Sequence, residues 1–470
     1  MMNYLISDEE THPLRVAIVG AGPAGFYSAD QLFKEFADRV HVDMYDRLPT
    51  PFGLVRYGVA PDHLKIKSVT KLYERIANKP GYRFWGNVEF GKHINLGDLR
   101  AHYNCIIFAY GAKDSRRLGI PGENLQGSHA ATDFVAWYNG HPDHSNCTFD
   151  LTVETAVVVG IGNVAVDVAR ILCLTEEELL QSDIADYALD VLLKSKVKEV
   201  VLLGRRGPAQ AAFTNPEAKE LGNLQGAGIY VIDEEAGLDT LSRQDLDLSD
   251  DKITVRKVEI IQNFAERKYN SKDKLIRMRF LTSPIEMYND GAGKVSGMRL
   301  VKNEIYRSEQ GSLKARPTDV YEDIDAGLVF RSVGYLGSGV PGIPFDAESG
   351  IICNSQGRIL DSKTQEVLIG MYTSGWIKRG PTGVIGTNKE DSIETINCLI
   401  EDVKAGKMLS PSNKGSSKVE ELVRSRQPDL FTFDDWKQID SMEIANGDSI
   451  GRPRVKFTST ASMLKVLGRS

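Results

Sequence analysis

The sequence predicts an α/β protein with two three-layer domains, each organised around a parallel sheet. Two observations carry this prediction. The apolar residues 16–19 lead directly into a glycine-rich turn at residues 20–25, and residues 155–159 lead in the same way into residues 160–165. A further apolar strand follows each of these turns after a helical stretch. Strand, tight glycine turn and helix are the elements of a Rossmann-like dinucleotide-binding unit, so the chain is expected to hold two such units.

Composition agrees with a globular enzyme and argues against several other classes. The chain has 470 residues, enough for two or three domains, and a net charge of −7, which does not suit a general nucleic-acid-binding protein. No apolar run reaches the roughly 18 residues that a membrane span needs. Five scattered cysteines form no C-x-x-C pair. We therefore expect neither a disulfide framework nor a metal site, and a cytoplasmic protein without a secretory signal in residues 1–12.

In the first unit, each glycine of the turn has a separate expected role. Gly20 permits the tight turn, Gly22 lets the backbone approach a pyrophosphate, and Gly25 allows the helix to pack against the strand. The next strand, residues 40–45, ends at Asp46, about 20 residues after Gly25. A carboxylate there accepts hydrogen bonds from an adenosine ribose and repels a 2′-phosphate. The first unit should therefore bind FAD or NAD.

The second unit ends differently. Ala165 replaces the third glycine, a change that the fingerprint tolerates, and the following strand, residues 199–204, delivers Arg205 and Arg206 to the position of the ribose-binding acid. Paired guanidinium groups match a phosphate in charge and in bidentate geometry. The second unit is therefore expected to bind NADP(H).

Two loops have compositions that fit a flavin, although each also fits an ordinary core. Residues 49–63 are rich in proline, glycine and apolar side chains, as expected either for a lining of the isoalloxazine ring or for a core cover. Residues 370–388 concentrate glycines ahead of a helix predicted over 389–403, where free amides could bind the ribityl chain or the ring. Trp376 could stack on the ring or fill the core.

Other segments are predicted from pattern alone. Residues 252–256 and 275–281 alternate in polarity, which predicts antiparallel strands of a surface sheet. Residues 410–417 have the composition of a linker. Residues 432–470 are expected to form a tail with several apolar anchors.

With these residues assembled, the chain resembles adrenodoxin reductase and its bacterial counterparts, the glutathione-reductase-like ferredoxin–NADP(+) reductases. The resemblance spans nearly the whole chain. It implies an FAD domain made of residues 1–114 and 341–470, with an NADP domain inserted at residues 115–340. The most specific segments are residues 51–63, 162–170, 204–208 and 375–385.

The resemblance also implies which residues bind the cofactors. Asp46 stands where a glutamate is usual in the family, and the shorter carboxylate still accepts hydrogen bonds. Beside Gly20, Gly22 and Gly25, the implied flavin contacts are Ala24, Asp46, Leu54, Val88, Trp376, Gly383, Val384 and Ile385; the implied NADP(H) contacts are Gly162, Asn163, Val164, Ala165, Arg205, Arg206, Glu217 and Gly383.

In such a reductase, electrons pass from NADPH through FAD to a ferredoxin, an acidic iron–sulfur protein. The resemblance implies that His63 and Glu217 lie near the nicotinamide, where they would orient it and manage a proton. Lys194, Lys196 and Lys198, together with Arg205 and Arg206, suggest a basic side that steers the ferredoxin, or else a merely solvated surface.

Other functions share parts of this pattern. A flavin disulfide reductase would need a redox-active cysteine pair, which the sequence lacks. A flavin-dependent monooxygenase and a reductase subunit of a larger iron–sulfur enzyme remain alternatives, as does a non-catalytic nucleotide-binding sensor. The motifs leave open whether the protein is a monomer or a homodimer.

Overall fold

The computed structural model of the chain describes residues 13–267, 272–413 and 415–469. These residues form two lobes, each built around its own mainly parallel sheet. The prediction for residues 1–12 lies outside the described residues, as does Lys414 of the predicted linker.

The first lobe contains a seven-stranded sheet to which both ends of the chain contribute. Five neighbouring strands are parallel, and two short antiparallel strands complete one edge. Because the strand from residue 367 pairs with the strand from residue 105, the C-terminal part of the chain belongs to the same sheet as the first glycine turn. In spatial order the strands are Asn354–Ser355, Arg358–Leu360, Val367–Thr373, Cys105–Phe108, Leu14–Val19, Val40–Tyr45 and Tyr82–Trp85.

Side chains on both faces of this sheet are buried, which explains the continuous apolar run at residues 16–19. Val16 and Ile18 pack into one core cluster, whereas Ala17 and Val19 pack into another on the opposite face. The helices of this lobe are Pro23–Phe36, Leu54–Tyr57, Leu64–Lys67, Thr70–Ala77, Leu96–His102, Trp376–Arg379, Thr387–Lys404, Ser416–Arg426, Phe433–Asp448 and Thr460–Val466, with a 3₁₀ turn at Ala37–Arg39.

The second lobe contains a six-stranded sheet in which every pair of neighbours is parallel. The strand that follows the predicted helical insertion lies beside the strand before the second glycine turn, so the turn and the two arginines share one edge of the sheet. In spatial order the strands are Ser128–Ala130, Leu328–Arg331, Thr155–Val159, Glu199–Leu203, Lys274–Arg279 and Ala227–Val231.

Helices cover one face of the six-stranded sheet, and a small antiparallel sheet packs on the other. Ala156 and Val158 face a large cluster that the helices share, whereas Val157 and Val159 pack with Met298 of the antiparallel sheet. That sheet consists of Thr282–Asn289, Val295–Arg307 and Leu313–Asp325. The helices are Ala131–Tyr138, Asn163–Cys173, Glu176–Leu180, Asp186–Leu192, Asn215–Leu221, Asp233–Ala236, Thr240–Leu248 and Lys252–Ala265, with 3₁₀ turns at Pro142–His144 and Pro208–Gln210.

Of the two predicted surface strands, residues 252–256 are not a strand, and residues 275–281 include a strand but not an antiparallel one at the surface. Residues 252–256 begin the helix Lys252–Ala265, whose buried residues Val258, Ile261 and Phe264 recur every three positions. The alternating window was too short to show this helical period, and its apolar residues Ile253 and Val255 are exposed. Residues 275–281 overlap a strand that lies inside the parallel sheet, between two parallel neighbours.

The predicted C-terminal tail is a folded part of the first lobe. The helix Phe433–Asp448 begins at Thr432, whose side chain accepts a hydrogen bond from the Asp435 amide in a capping box. The ring of Trp436 packs edge-on against Phe52 at 5.6 Å between centroids. Glu443 accepts two hydrogen bonds from the buried guanidinium of Arg56, at 2.6 and 2.9 Å. The helix Phe433–Asp448 thus covers the apolar loop at residues 49–63.

The chain crosses between the lobes at two adjacent places. Asp114–Ser115 leads into the second lobe and pairs antiparallel with Tyr335–Leu336, which leads back. These crossings lie beside the predicted domain boundaries, while the assignment of one cofactor to each lobe stays a prediction.

Two expectations from composition can be compared with the described residues. All five cysteines are free thiols and are buried or half-buried. None of the helices described is both long and apolar enough to cross a membrane.

Candidate functional site

The first glycine turn combines two positions that the fold requires to be glycine with one that it leaves open. Gly20 has a φ of 115°, and a Cβ there would lie 2.4 Å from the carbonyl oxygen of Ala109. A Cβ at Gly25 would lie 2.1 Å from the carbonyl oxygen of Gly20. At Gly22 a Cβ would meet nothing within 4 Å. The start of the helix Pro23–Phe36 is therefore accessible at Gly22, as a pyrophosphate cradle requires.

Asp46 lies at the carboxyl end of the neighbouring strand and closes this turn. Its Oδ2 accepts a hydrogen bond from the Ala21 amide at 2.8 Å, and its Oδ1 accepts one from the Leu48 amide at 2.9 Å. Burial raises the pKa of the carboxyl group, and the two amides partly oppose that rise. Each oxygen keeps a further lone pair, so the residue fits the expected ribose acceptor. Val88, which is buried, donates its amide to the Asp46 carbonyl at 2.8 Å.

The glycine-rich C-terminal loop packs directly on the first turn. Gly375 has a φ of 80°, and a Cβ there would lie 2.5 Å from the Cβ of Ala24. The Ser392 hydroxyl donates to the Ala24 carbonyl at 3.1 Å. The loop at Gly375 and the helix that follows it, more than 350 residues away in sequence, therefore pack against the first glycine turn.

Trp376 stands at the edge of this loop and is half-buried. Its indole N–H donates to the Thr382 carbonyl at 3.1 Å, and its ring lies 5.3 Å from that of Tyr335 between centroids. Gly383, Val384 and Ile385 follow and lead into the helix Thr387–Lys404. Val384 is exposed. Leu54, the remaining implied flavin contact, is half-buried at the start of the helix Leu54–Tyr57.

The second glycine turn repeats the geometry of the first. Gly160 has a φ of 130°, and a Cβ there would lie 2.1 Å from the carbonyl oxygen of Ser332. At Gly162 the nearest atom to a Cβ would be 3.9 Å away, so the helix start is again accessible. Ala165 is fully buried and Val164 half-buried. The Asn163 Oδ1 accepts a hydrogen bond from the Thr214 amide at 2.9 Å, which ties this turn to the helix that carries Glu217.

Arg205 and Arg206 lie at the carboxyl end of the strand Glu199–Leu203, beside the second turn. Arg205 is exposed and Arg206 is half-buried. Burial, together with the charge of Arg205, lowers the pKa of Arg206. Within residues 13–267, 272–413 and 415–469, neither guanidinium forms an ion pair with an acid. Two unpaired guanidinium groups are suited to an anionic ligand.

The proposed basic side does not form a single patch. Lys194, Lys196 and Lys198 precede the strand Glu199–Leu203, whereas Arg205 and Arg206 follow it. At about 3.3 Å per residue, the strand separates the two groups by roughly 20 Å. Lys198 also pairs with Glu154 at 2.6 Å. The lysines therefore lie at the end of the sheet opposite to the nucleotide turn, and the two groups form separate basic patches.

The predicted catalytic histidine lies on the seam between the lobes and contacts several acids. The His63 Nε2 lies 2.8 Å from the Glu220 Oε2 and 3.9 Å from the Glu217 Oε2. Its Nδ1 lies 3.9 Å from the Asp167 Oδ1. Glu220, which the sequence analysis did not single out, is therefore the hydrogen-bond partner of the imidazole. Glu217 is close, and its buried Oε2 has no hydrogen-bond partner of its own.

A buried arginine organises the acids on this seam. The Arg170 guanidinium donates to the Asp167 Oδ1 at 2.7 Å and to Asp62, which precedes His63. Asp167 and Arg170 lie one turn apart on the helix Asn163–Cys173, and Glu217 and Glu220 lie one turn apart on the helix Asn215–Leu221. An open cleft of about 770 Å³, lined in part by Asp62, His63 and Glu220, adjoins this cluster.

The cluster raises the pKa values of His63, Asp167 and Glu217, whereas the hydrogen bond with His63 lowers the pKa of Glu220. Burial opposes the charge on His63, but Glu220, Asp167 and Glu217 outweigh it and raise the pKa of the imidazole. Burial, reinforced by Glu217, raises the pKa of the Asp167 carboxyl well above its usual range. Burial also raises the pKa of Glu217. These three shifts favour the binding of a proton at this seam.

The ligand atoms of His63, Asp167 and Glu217 lie within 4.8 Å of one another, a spacing that a metal ion could also use. Asp167 already accepts a hydrogen bond from Arg170, however, and Glu220 already accepts one from His63. A cation would have to displace both contacts and would lie beside a guanidinium. We therefore interpret the cluster as a hydrogen-bonded proton site.

Sequence reasoning found His63 and Glu217 but missed Asp62, Asp167, Arg170 and Glu220. The available signal was the i, i+3 spacing of Asp167 with Arg170 and of Glu217 with Glu220, which places each pair on one helix face. Which residue meets His63 depends on how the two lobes pack, and no local pattern carries that information.

Similar proteins support the same overall arrangement. Residues 14–201 match the family model described as pyridine nucleotide-disulphide oxidoreductase. The NADPH-ferredoxin reductase FprA of Mycobacterium tuberculosis is 44% identical over 463 residues, covering 97% of this chain and 99% of that protein. The mitochondrial NADPH:adrenodoxin oxidoreductase of Homo sapiens is 40% identical over 472 residues, covering 98% and 93%. The solved structure of Mycobacterium tuberculosis FprA in complex with NADPH gives a TM-score of 0.91 at 43% identity, covering 97% of this chain and 99% of that chain.

The seam histidine should make the stability of the protein depend on pH. Because the folded state raises the pKa of His63, its protonated form stabilises the fold below the ordinary value of about 6.5, and this contribution is lost as the pH rises through the raised value. We expect the melting temperature of the unmodified protein to exceed that of His63→Gln by more at pH 6 than at pH 9, as measured by thermal denaturation.

His93→Gln is a control of opposite sign, because burial lowers the pKa of His93. An equal difference between the unmodified protein and His63→Gln at both pH values would contradict the proton site.

Proposed function

The chain belongs to the family of NADPH-ferredoxin and NADPH:adrenodoxin reductases, and from that membership we propose that it carries electrons from NADPH through FAD to a ferredoxin-type iron–sulfur protein. The predicted family and the predicted glutathione-reductase-like α/β fold are both confirmed. The observation that carries the proposal is the presence, in one chain, of a glycine turn closed by a carboxylate and a second turn closed by two arginines. The seam that joins their lobes carries His63.

The residues of the first lobe fit FAD. The amides at the start of the helix Pro23–Phe36 would hold the pyrophosphate, because Gly22 leaves that helix start open. Asp46 would accept hydrogen bonds from the adenosine ribose, and Trp376 with residues 383–385 would hold the ring side of the molecule. Bound FAD supplies a hydride acceptor that can release its electrons one at a time, which an iron–sulfur partner requires.

The residues of the second lobe fit NADPH. The amides at the start of the helix Asn163–Cys173 would hold the pyrophosphate, with Gly162 providing the close approach. Arg205 and Arg206 would bind the 2′-phosphate in place of the acid that selects NADH. The preference for NADPH over NADH then rests on two guanidinium groups that have no other partner among the described residues.

His63 and Glu217 would orient the nicotinamide, and Glu220 completes the proton site. His63 holds its proton through the hydrogen bond to Glu220, which is nearly half exposed beside the open cleft and can exchange protons with solvent. Arg170 donates hydrogen bonds to Asp62, which precedes His63 in the chain, and to Asp167, whose Oδ1 lies 3.9 Å from the His63 Nδ1. These residues bind, orient and hold a proton; the positions of the reacting rings relative to one another set the rate of hydride transfer.

The nature of the partner, the location and the oligomeric state are finer parts of the proposal. We propose an acidic ferredoxin as the partner and the cytoplasm as the location, with a monomer or a homodimer as the working form. The alternatives make different predictions. A flavin-dependent monooxygenase would couple NADPH oxidation to oxygen uptake with an organic substrate, a subunit of a larger assembly would copurify with iron, and a non-catalytic sensor would not oxidise NADPH.

Mixing the purified, FAD-loaded protein with NADPH in a stopped-flow instrument tests the proposal. The flavin absorbance should bleach, and reoxidation by an added ferredoxin should restore it. NADH at the same concentration should bleach the flavin far more slowly. A protein that contains no flavin, or whose flavin NADPH fails to reduce, would refute the proposed activity.

The two arginines of the second lobe should determine the choice of nicotinamide cofactor. We expect the double variant Arg205→Ala/Arg206→Ala to bind NADPH roughly 100-fold more weakly, because a hydrogen bond to a charged group contributes about 1.5–3 kcal/mol. NADH binding should change much less, and titration of the flavin-loaded protein measures both affinities.

Arg256→Ala is the matched control, since Arg256 is an exposed arginine of the same lobe that pairs with Glu259. Equal losses for NADPH and NADH in the double variant would refute the 2′-phosphate assignment.

Gly22 should matter for FAD but not for folding. A valine side chain at this position meets no protein atom near its Cβ, but it would occupy the space at the helix start where the pyrophosphate must approach. We expect Gly22→Val to be folded by circular dichroism and to contain less than about a tenth of the FAD of the unmodified protein, corresponding to a loss of more than about 1.4 kcal/mol in binding.

Gly237→Val serves as the control, because a Cβ at Gly237 also has only ordinary contacts and lies away from the first glycine turn. Full FAD occupancy in folded Gly22→Val would remove the pyrophosphate from this position.

A further inference from the structure

A short segment of the first lobe, residues 61–67, carries the seam histidine and ends in a buried lysine. His63 caps the helix Leu64–Lys67, and the Lys67 amide donates to the His63 carbonyl at 3.1 Å. Since one helical turn connects the two residues, a displacement of Lys67 displaces His63. Contacts that hold Lys67 therefore also determine where the imidazole lies.

Asp183 of the second lobe binds this segment at both ends. Its backbone amide donates to the Pro61 carbonyl at 3.1 Å. Its Oδ1 accepts a hydrogen bond from the Lys67 Nζ at 2.6 Å. One residue of the opposite lobe thus forms hydrogen bonds with the backbone two residues before His63 and with the side chain of Lys67, one turn after it.

The C-terminal segment, residues 449–459 between the last two helices, provides a second cation for the same carboxylate. The Lys456 Nζ lies 3.1 Å from the Asp183 Oδ1 and donates to the Asn139 carbonyl at 3.1 Å. The side chains of Lys456, Asp183 and Lys67 are only 1%, 5% and 10% exposed. Arg452, four residues earlier, donates to the Ile184 carbonyl at 2.6 Å and pairs with Asp186 at 2.5 Å. The C-terminal segment therefore links residues 183–186 to the first lobe by hydrogen bonds and ion pairs.

Burying the charges of Lys67, Asp183 and Lys456 costs desolvation free energy, so this ion cluster is a poor source of folding stability. Burial lowers the pKa of Lys67 and that of Lys456, the latter well below its usual range. Burial opposes the charge of Asp183, but the two lysines outweigh it and lower the pKa of the carboxyl to about 2. Buried ion pairs generally contribute little net stability compared with apolar residues of the same size. Their directional hydrogen bonds do, however, specify one arrangement of the two lobes.

We propose that Asp183 is a positioning residue for the hydride transfer, holding the His63 segment in register with the second lobe, and that Lys67 and Lys456 complete this device. The inference rests on the proposed function, in which one lobe binds the hydride acceptor and the other binds the donor. A displacement of about 1 Å between reacting groups can slow a reaction roughly 100-fold. A rigid link beside His63 is therefore placed where the rate is most sensitive.

Two variants test the inference while keeping the buried charges balanced. Lys67→Met leaves Asp183 paired with Lys456, and Lys456→Met leaves it paired with Lys67. We expect flavin reduction at saturating NADPH to slow tenfold or more in Lys67→Met, and by a smaller factor in Lys456→Met. The NADPH dissociation constant should stay within about twofold, since both lysines form their hydrogen bonds with Asn139 and Asp183 rather than with the second glycine turn.

The primary deuterium isotope effect on flavin reduction supplies a readout that a loss of stability alone would not change. It should depend more strongly on temperature in both variants than in the unmodified protein, because the distance between donor and acceptor would be less well defined. Arg454→Met is the matched control. Arg454 belongs to the same segment but pairs with Asp440 and Glu443 of its own lobe. The variant should therefore leave the rate of flavin reduction and its isotope effect unchanged.

Hydrogen–deuterium exchange measured by mass spectrometry tests the link without turnover. Peptides that contain residues 61–67 and 183–186 should exchange faster in both lysine variants than in Arg454→Met, because the Asp183 amide bonds to Pro61 across the seam. Unchanged reduction rates and exchange in folded Lys67→Met would overturn the inference. So would a failure of both lysine variants to fold beside an intact control, since the triad would then support the fold itself. Failure of the unmodified protein to be reduced by NADPH would instead refute the proposed function.

Discussion

The close approach of two backbone segments at each glycine turn is the constraint on which both lobes depend. A Cβ would lie 2.4 Å from a carbonyl oxygen at Gly20 and 2.1 Å from one at Gly160, and both glycines have positive φ angles. Only glycine allows the strand to turn here and the helix to begin beside the neighbouring strand. Both turns therefore place a helix start with free amides at the carboxyl edge of a parallel sheet, which is where nucleotides bind in such folds.

The two lobes differ in what closes this edge, and that difference separates their roles. Asp46 accepts hydrogen bonds from the backbone of the first turn, while Arg205 and Arg206 stand at the corresponding strand end of the second lobe. The first arrangement suits a free ribose hydroxyl and the second a phosphate. Under the proposed assignment, the same backbone geometry serves two cofactors, because the charge of the side chains at one strand end changes from negative to positive.

Electron transfer between two lobes also requires that their separation be defined. The seam meets this requirement with polar contacts: His63 with Glu220, Arg170 with Asp62, and Lys67 with Asp183. Apolar contacts alone would tolerate small rotations, whereas buried hydrogen bonds lose much of their energy when their geometry changes. The C-terminal segment adds two further contacts to the second lobe: Lys456 with Asp183 and Arg452 with Asp186.

The sequence by itself determined the local elements and their chemistry. A glycine turn behind an apolar strand, an acid or two arginines at the next strand end, and the resemblance carried by residues 51–63 and 375–385 were sufficient for the fold class, both cofactors and the reaction. Those features were readable because each depends on residues within about 20 positions of one another. The same local reading failed at residues 252–256, where five alternating residues could not reveal a helical period.

Only the tertiary structure decided which distant residues meet. His63 forms its hydrogen bond with Glu220, and the supposed tail supplies Glu443 to Arg56 and Lys456 to Asp183. Each of these facts depends on how the lobes and the C-terminal helices pack. Packing joins residues that are more than a hundred positions apart, such as His63 and Glu220 at a separation of 157, so no local pattern of residue types specifies it.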